Sequence, residues 1–374
     1  MKPIAAFAPA VCLAACLAAC SSRAPSNDAA PATGNAMEPA ASAPADAVDS
    51  HARPHPADAR TFTDWTVACD NGGQCSMASL SPEDGEFYAV NLALTRDAGP
   101  DGAVAIALLP NEEGVTPAMV AVDGALVGGT FPAVKDGRTT VTGNAAAAIA
   151  YALANGHQLT VRDPGGAVLE TISLAGASAS LRYIDAAQHR AGTATAIVAK
   201  GNRPASTVPA APALPVIVAP PIATGAAQVG ATMAAALERR AGCDGDLVAG
   251  IAPEAHPLGG GATLVLVPCG RGAYNLSSAL FVLRDGKPEP ARIDAPSGFT
   301  ESGEPADIPQ VVNASVADGV LSSYAKGRGL GDCGVEQDFV WDGTMFRLAQ
   351  QAEMGECRGN PNLLTTWRTQ VVRR

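Results

Sequence analysis

Lys326-Gly327-Arg328-Gly329-Leu330-Gly331 is the segment of this sequence best suited to touch a ligand. The backbone amides of a glycine-rich run, joined by two cationic side chains, can cradle an anion. The run matches neither the nucleotide phosphate loop nor G-x-G-x-x-G, and it follows a strand pattern without opening a clear helix. A structural loop beside Cys333 fits it better. Lys326 and Arg328 stay as candidates for ligand or partner contact because the segment is cationic in a chain of net charge −11.

Other chemistry has weaker support. Serine catalysis needs a nucleophile, a histidine base and an orienting carboxylate, and neither G-x-S-x-G nor S-x-x-K occurs. His256 precedes Pro257 near Asp246 and Glu254, and is the best acid–base candidate. His157 and His189 fall at expected helix ends, where a protonated ring suits the dipole. Asp332, Glu336, Asp338 and Asp342 offer hard oxygens for calcium, without an EF-hand's spacing. Trp65, Trp341 and Trp367 could be carbohydrate platforms, but with aromatics at 4% core packing has the stronger claim on them. No catalytic set, metal or cofactor is expected, and the acidic balance argues against a nucleic-acid partner.

The cysteines fix the expected compartment. Lys2 and the apolar run from Ile4 to Ala19 read as a signal segment, too short to span a bilayer. It ends in Leu17-Ala18-Ala19-Cys20, the pattern cleaved before a cysteine that becomes the lipid acceptor. Residues 1–19 are therefore expected to be removed, and Cys20 to carry palmitate and tether the chain to a membrane. Ser21 and Ser22, with no aspartate, favour the outer membrane, facing the periplasm. Six cysteines lie beyond: Cys69, Cys75, Cys243, Cys269, Cys333 and Cys357. An even number in an exported chain reads as disulfides. Sequence neighbours suggest 69–75, 243–269 and 333–357. Zinc is the weaker reading, since C-x-x-C is absent.

The elements that position these residues follow from composition and turns. Cys20 and the Ala/Pro/Ser-rich stretch to residue 60 lack the apolar side chains a core needs and read as a disordered tether. Residues 203–229 are proline-rich and read as a linker, with Val216-Ile217-Val218 able to pack as an edge strand. That leaves domains over 61–202 and 230–374, both acidic. Asp123-Gly124, Asp285-Gly286, Asp318-Gly319 and Asp342-Gly343 signal hairpin turns. Helices are expected after Asn144, after Ser178 and from Gly230 to Arg240. The fold class is an α+β first domain and a mainly antiparallel β second domain behind one helix, both disulfide-stapled.

Several segments together resemble one bacterial family, domain of unknown function 1176. They are Asp64-Trp65-Thr66-Val67-Ala68-Cys69-Asp70-Asn71, Leu94-Thr95-Arg96-Asp97-Ala98-Gly99-Pro100, Leu181-Arg182-Tyr183-Ile184-Asp185 and Arg190-Ala191-Gly192-Thr193-Ala194-Thr195-Ala196. Gly327 to Gly334, Glu356-Cys357-Arg358-Gly359 and Trp367-Arg368-Thr369 continue the pattern. The first domain is also similar, more loosely, to the invasion-associated locus B family. The resemblance implies an envelope setting and no established reaction. The expected role is a non-enzymatic lipoprotein that binds an envelope protein or polymer. The alternatives are an inhibitor of an envelope lytic enzyme, which needs residues 326–331 to protrude, and a periplasmic hydrolase.

Overall fold

The structure is a computed structural model and describes residues 53–243, 245–298 and 307–374. The signal segment, Cys20 and the tether up to residue 52 lie outside the described residues. The described residues form one compact unit, mostly antiparallel β with three α-helices among them.

The alternation at 62–69 builds strand Trp65–Cys69, which pairs with Cys75–Ser79. They belong to a six-strand sheet in the order Arg60–Phe62, Trp65–Cys69, Cys75–Ser79, Val90–Arg96, Val104–Pro110 and Thr139–Thr142. A four-strand sheet carries Val168–Ser173, Gln158–Arg162, Met119–Val122 and Ala125–Val127. Two helices close this core. Helix α1 (Gly143–Asn155) buries Ala146, Ile149, Ala150, Leu153 and Ala154, the one-faced spacing of an amphipathic helix. Helix α2 (Ala177–Ala187) buries Leu181 and Ile184. Asn144 sits inside α1 rather than capping it: Thr142 holds the cap position, with no side-chain capping bond.

The segment 203–229 is more than a spacer. Val216–Ala219 pairs in parallel with Gln370–Arg373, and Ile217 packs on Val340. Helix α3 (Ala231–Ala241) lays Leu237 against Val265 and Phe281. A five-strand sheet follows, with Glu254–Pro257, Thr263–Arg271, Leu276–Arg284 and Lys287–Pro290 in order and Gln310–Val312 also on Leu276–Arg284. A second five-strand sheet is an unbroken meander: Ser315–Ala317, Val320–Lys326, Gly334–Trp341, Phe346–Met354 and Leu364–Arg368. Leu264, Leu280, Phe339, Trp341 and Phe346 fill the space between these two sheets.

Three of the four expected Asp-Gly turns hold both residues at positive φ: Asp123-Gly124, Asp285-Gly286 and Asp318-Gly319. In Asp342-Gly343 only the glycine does so. There the Asp342 carboxylate accepts the amides of Thr344 and Met345 and pairs with Arg347, so the side chain closes a longer loop. The disulfides are 69–75, 243–269 and 333–357. Each of the two longer ones contributes about 3 kcal/mol in the chain-entropy account.

The early and late parts of the chain meet where strands Trp65–Cys69 and Cys75–Ser79 pack against strand Leu364–Arg368. Arg358 donates to the carbonyls of Ser81 (2.6 Å) and Thr63 (2.8 Å) and to the Asp64 carboxylate (2.7 Å). Asn360 donates to the Ser79 carbonyl, Arg368 pairs with Asp70, and Asn71 exchanges two hydrogen bonds with the Arg368 backbone. Beneath them Ala68, Ala78 and Leu80 share one apolar cluster with Cys333, Met354 and Leu364. The Arg358 side chain is nearly buried, so removing its charge strands Asp64 and two carbonyls. Arg358→Met is expected to lower stability by about 3 kcal/mol in urea unfolding at neutral pH, and a loss under about 1 kcal/mol would show that the join is held elsewhere.

Candidate partner-binding surface

The glycine-rich run is the loop between strands Val320–Lys326 and Gly334–Trp341. Its apex is not its charge. Leu330 is 68% exposed, whereas Lys326 and Arg328 are half-buried. Arg328 donates from Nε to Asp332 at 2.7 Å, pairs with it again through Nη2, and lies 4.8 Å above the Phe87 ring. Lys326 leans over the Tyr324 ring at 5.9 Å. The Gly327 amide is taken by the Cys333 carbonyl and the Gly331 amide by the Arg328 carbonyl. Arg328 together with these two amides therefore braces the loop from within.

Two neighbouring loops hold it. The Tyr274 hydroxyl donates to the Gly327 carbonyl at 3.0 Å, and Asn275 exchanges two hydrogen bonds with the Lys326 backbone. The Gly359 amide donates to Asp332 at 2.7 Å, which links the loop to the Arg358 clamp. The Cys333–Cys357 bond lies directly below: a Cβ on Gly327 would come within 2.8 Å of the Cys333 Sγ. Three large apolar side chains stand exposed around this frame: Leu330, Phe87 (46%) and Tyr274 (42%). Tyr274 touches the loop at Gly327 and lies near Gly329, and Phe87 touches it at Arg328.

Asp332 is the electrostatic centre. Burial alone would raise its pKa. The hydrogen bonds from Arg328 and the Gly359 amide outweigh that and hold it below the ordinary carboxylate range. Burial, with the charges of Glu336 and Asp332, raises the Tyr324 hydroxyl, which donates to the Gly331 carbonyl at 2.6 Å.

The other sequence candidates are dispersed. His256 lies on edge strand Glu254–Pro257, with Nε2 3.2 Å from the Glu254 carboxylate two residues earlier. It lines neither of the two clefts described in the molecule. His157 meets Asp123 at the end of α1. Three of the four acidic residues weighed for calcium have separate engagements: Asp332 with Arg328, Asp342 with Arg347, and Asp338 with the Ser322 hydroxyl. Glu336 is raised by burial and by Asp338. Trp65, Trp341 and Trp367 are buried. Sequence reasoning missed Phe87, Tyr274 and Arg358. Only Arg358 had a local signal, its place directly after Cys357.

Comparison with known proteins agrees with the motif pattern. The family model described as "Protein of unknown function (DUF1176)" matches residues 59–374. The chain belongs to this family. A relative in Escherichia coli (strain K12), the uncharacterized protein YpfG, is 29% identical over 335 residues, covering 80% of this chain and 88% of that one. The crystal structure of invasion associated protein B from Bartonella henselae matches 35% of this chain and 99% of its own, at 19% identity and a TM-score of 0.28.

The pKa of Asp332 has a testable sign. A carboxyl held lower in the folded chain stabilises it above the unfolded pKa, and that stability is lost as pH falls through the folded value. Asp332→Asn is therefore expected to cost about 2 kcal/mol near pH 7, with the gap to the parent closing below about pH 4. Thermal unfolding across that range reads it, and a gap that is constant with pH would refute the assignment.

Proposed function

We propose that this protein is a cell-envelope lipoprotein, lipidated at Cys20 and held at the outer membrane facing the periplasm, that acts as a non-enzymatic binding protein. In this reading an α+β domain over 61–202 and a β-rich domain over 230–374 carry one rigid surface, tethered through Cys20. The observation that carries it is the exposed apolar set of Leu330, Phe87 and Tyr274 on loops that are already fixed. Exposed apolar groups clustered on a soluble surface mark interaction sites. Loops held by a disulfide and internal ion pairs lose little entropy on docking. Aromatic anchors beside an arginine are the usual centres of interface energy. A protein partner fits this chemistry better than a charged polymer does, because the exposed side chains are apolar and Arg328 is already paired.

A second reading has one observation in its favour. Leu330 stands at the apex of a stapled loop, as an inhibitor of an envelope lytic enzyme would need for insertion into a cleft. Both readings use the same side chains.

Photo-crosslinking from position 330 in intact envelopes identifies the partner. Leu330→Asp combined with Phe87→Ser should weaken its binding at least about tenfold, since an anchor residue contributes about 2 kcal/mol. The thermal midpoint should stay within a few degrees of the parent. Equal capture by parent and variant would remove this surface from the function. Mass spectrometry of the mature N-terminus should find a diacylated or triacylated Cys20, and an unmodified terminus elsewhere would remove the anchor.

A further inference from the structure

A cleft of about 340 Å³ lies between the start of α1 and the 190–200 segment, away from the loop surface described above. Arg96, Asn144, Tyr151, Thr195, Ile197 and Lys200 contribute to its wall. Two of its lining residues are cationic and none is acidic, in a chain of net charge −11.

The segments that carry the family resemblance meet here. Arg96 and Asp97 to Pro100 come from the end of strand Val90–Arg96 and the turn after it. Arg190 is fully buried behind that turn, with its donors taken by the carbonyls of Asp97 and Gly99, by Gln188 Oε1 and by Thr195 Oγ1. Asp185 fixes the opposite wall by accepting the amides of Ile197, Val198 and Ala199. The wall is thus held by the fold itself.

Arg96 differs from Arg190. It is 6% exposed, and its Nε is buried with no hydrogen-bond partner. Among the described residues its guanidinium makes one hydrogen bond, from Nη2 to the Thr195 carbonyl at 3.1 Å. It has no ion pair there, and burial together with the nearby Arg190 charge lowers its pKa to about 10 against the opposing pull of the Asp185 and Asp97 carboxylates. A buried cation without a paired anion is costly. The first turn of α1 opens on the same cleft through Gly143, Asn144 and Ala147. That turn has no side-chain cap and no acidic residue, so its amides and the positive end of the helix dipole are left unanswered by the chain. Lys200, with Nζ 4.8 Å from the Tyr151 ring, supplies the second cation.

We infer that this cleft is a binding site for a phosphoryl group, either free phosphate or one esterified to a small molecule. A guanidinium, an ammonium and a helix N-terminus on one concave wall form the donor set that phosphate oxygens need. The volume sits at the lower end for small-molecule sites, which leaves room for a short organic body against Val104, Ala147 and Ile197. The inference stands independently of the loop surface and of any partner bound there.

Calorimetric titration of the full chain in a non-ionic detergent tests it, with inorganic phosphate and glycerol 3-phosphate as probes. Chloride at equal ionic strength is the control. Saturable binding of one equivalent is expected for at least one probe. Tighter glycerol 3-phosphate would indicate an esterified source, and tighter inorganic phosphate a free one. Ala147→Glu puts a carboxylate on the exposed first turn of α1, and Lys200→Glu reverses the second cation. Each should weaken binding at least about tenfold, the effect of placing a repulsive charge at a phosphate contact. Both positions lie at the surface or partly exposed, so circular dichroism and the thermal midpoint in chloride should match the parent. Arg96→Gln should abolish binding. If neither probe saturates, or if both surface variants bind like the parent, the inference is overturned.

Discussion

The guanidinium of Arg358 is the interaction on which the rest of the molecule depends. A chain this poor in aromatics has limited means of gluing one sheet to another. Each pair of packed sheets spends its large apolar side chains on the core between them, and the cluster shared across the join consists mostly of alanine, leucine and a methionine. Such a seam has little shape to set its register. Arg358 supplies that register by directional bonding to two carbonyls and a carboxylate. Arg368 on Asp70 repeats the device one strand away. Polar groups here specify the alignment that apolar contact alone leaves loose.

The same economy governs the charges elsewhere. Acidic residues outnumber basic ones, and many of the basic residues work inside the structure. Arg328 braces its loop, Arg347 ties Asp342 and Asp294, and Arg190 gathers the carbonyls of Asp97 and Gly99. Arg96 is the exception in this pattern, because its position is fixed while most of its donors are not used. That contrast between neighbouring arginines, more than charge itself, distinguishes a structural cation from one with capacity to spare.

Features encoded over a few residues were legible in the sequence. The Asp-Gly turns, the three cysteine pairs, the core tryptophans and the strand at 216 all rest on local conformational preference or short loop closure. Asp342 shows the limit even there: its side chain found nearby amides and chose a different turn. What the sequence did not disclose are contacts made across great separations. Arg358 and Asp64 lie 294 residues apart, and the partners of Arg96 come from a segment 99 residues later. Arg358 carries only its place after Cys357 as a local signal, and nothing near Arg96 sets it apart from an ordinary surface arginine. The glycine-rich run was recognised as a loop, but its exposed apex proved apolar, because Asp332, four residues on, draws Arg328 inward.

The Cys333–Cys357 bond lies beneath both the loop apex and the arginine clamp, with Gly327 packed on its sulfurs and Arg358 next in the chain. One covalent link therefore underwrites two properties that look separate, the cohesion of the sheets and the shape of the exposed face. A copy whose thiols stay reduced lacks the same covalent brace under its join and under its exposed face, so one oxidation step bears on both at once.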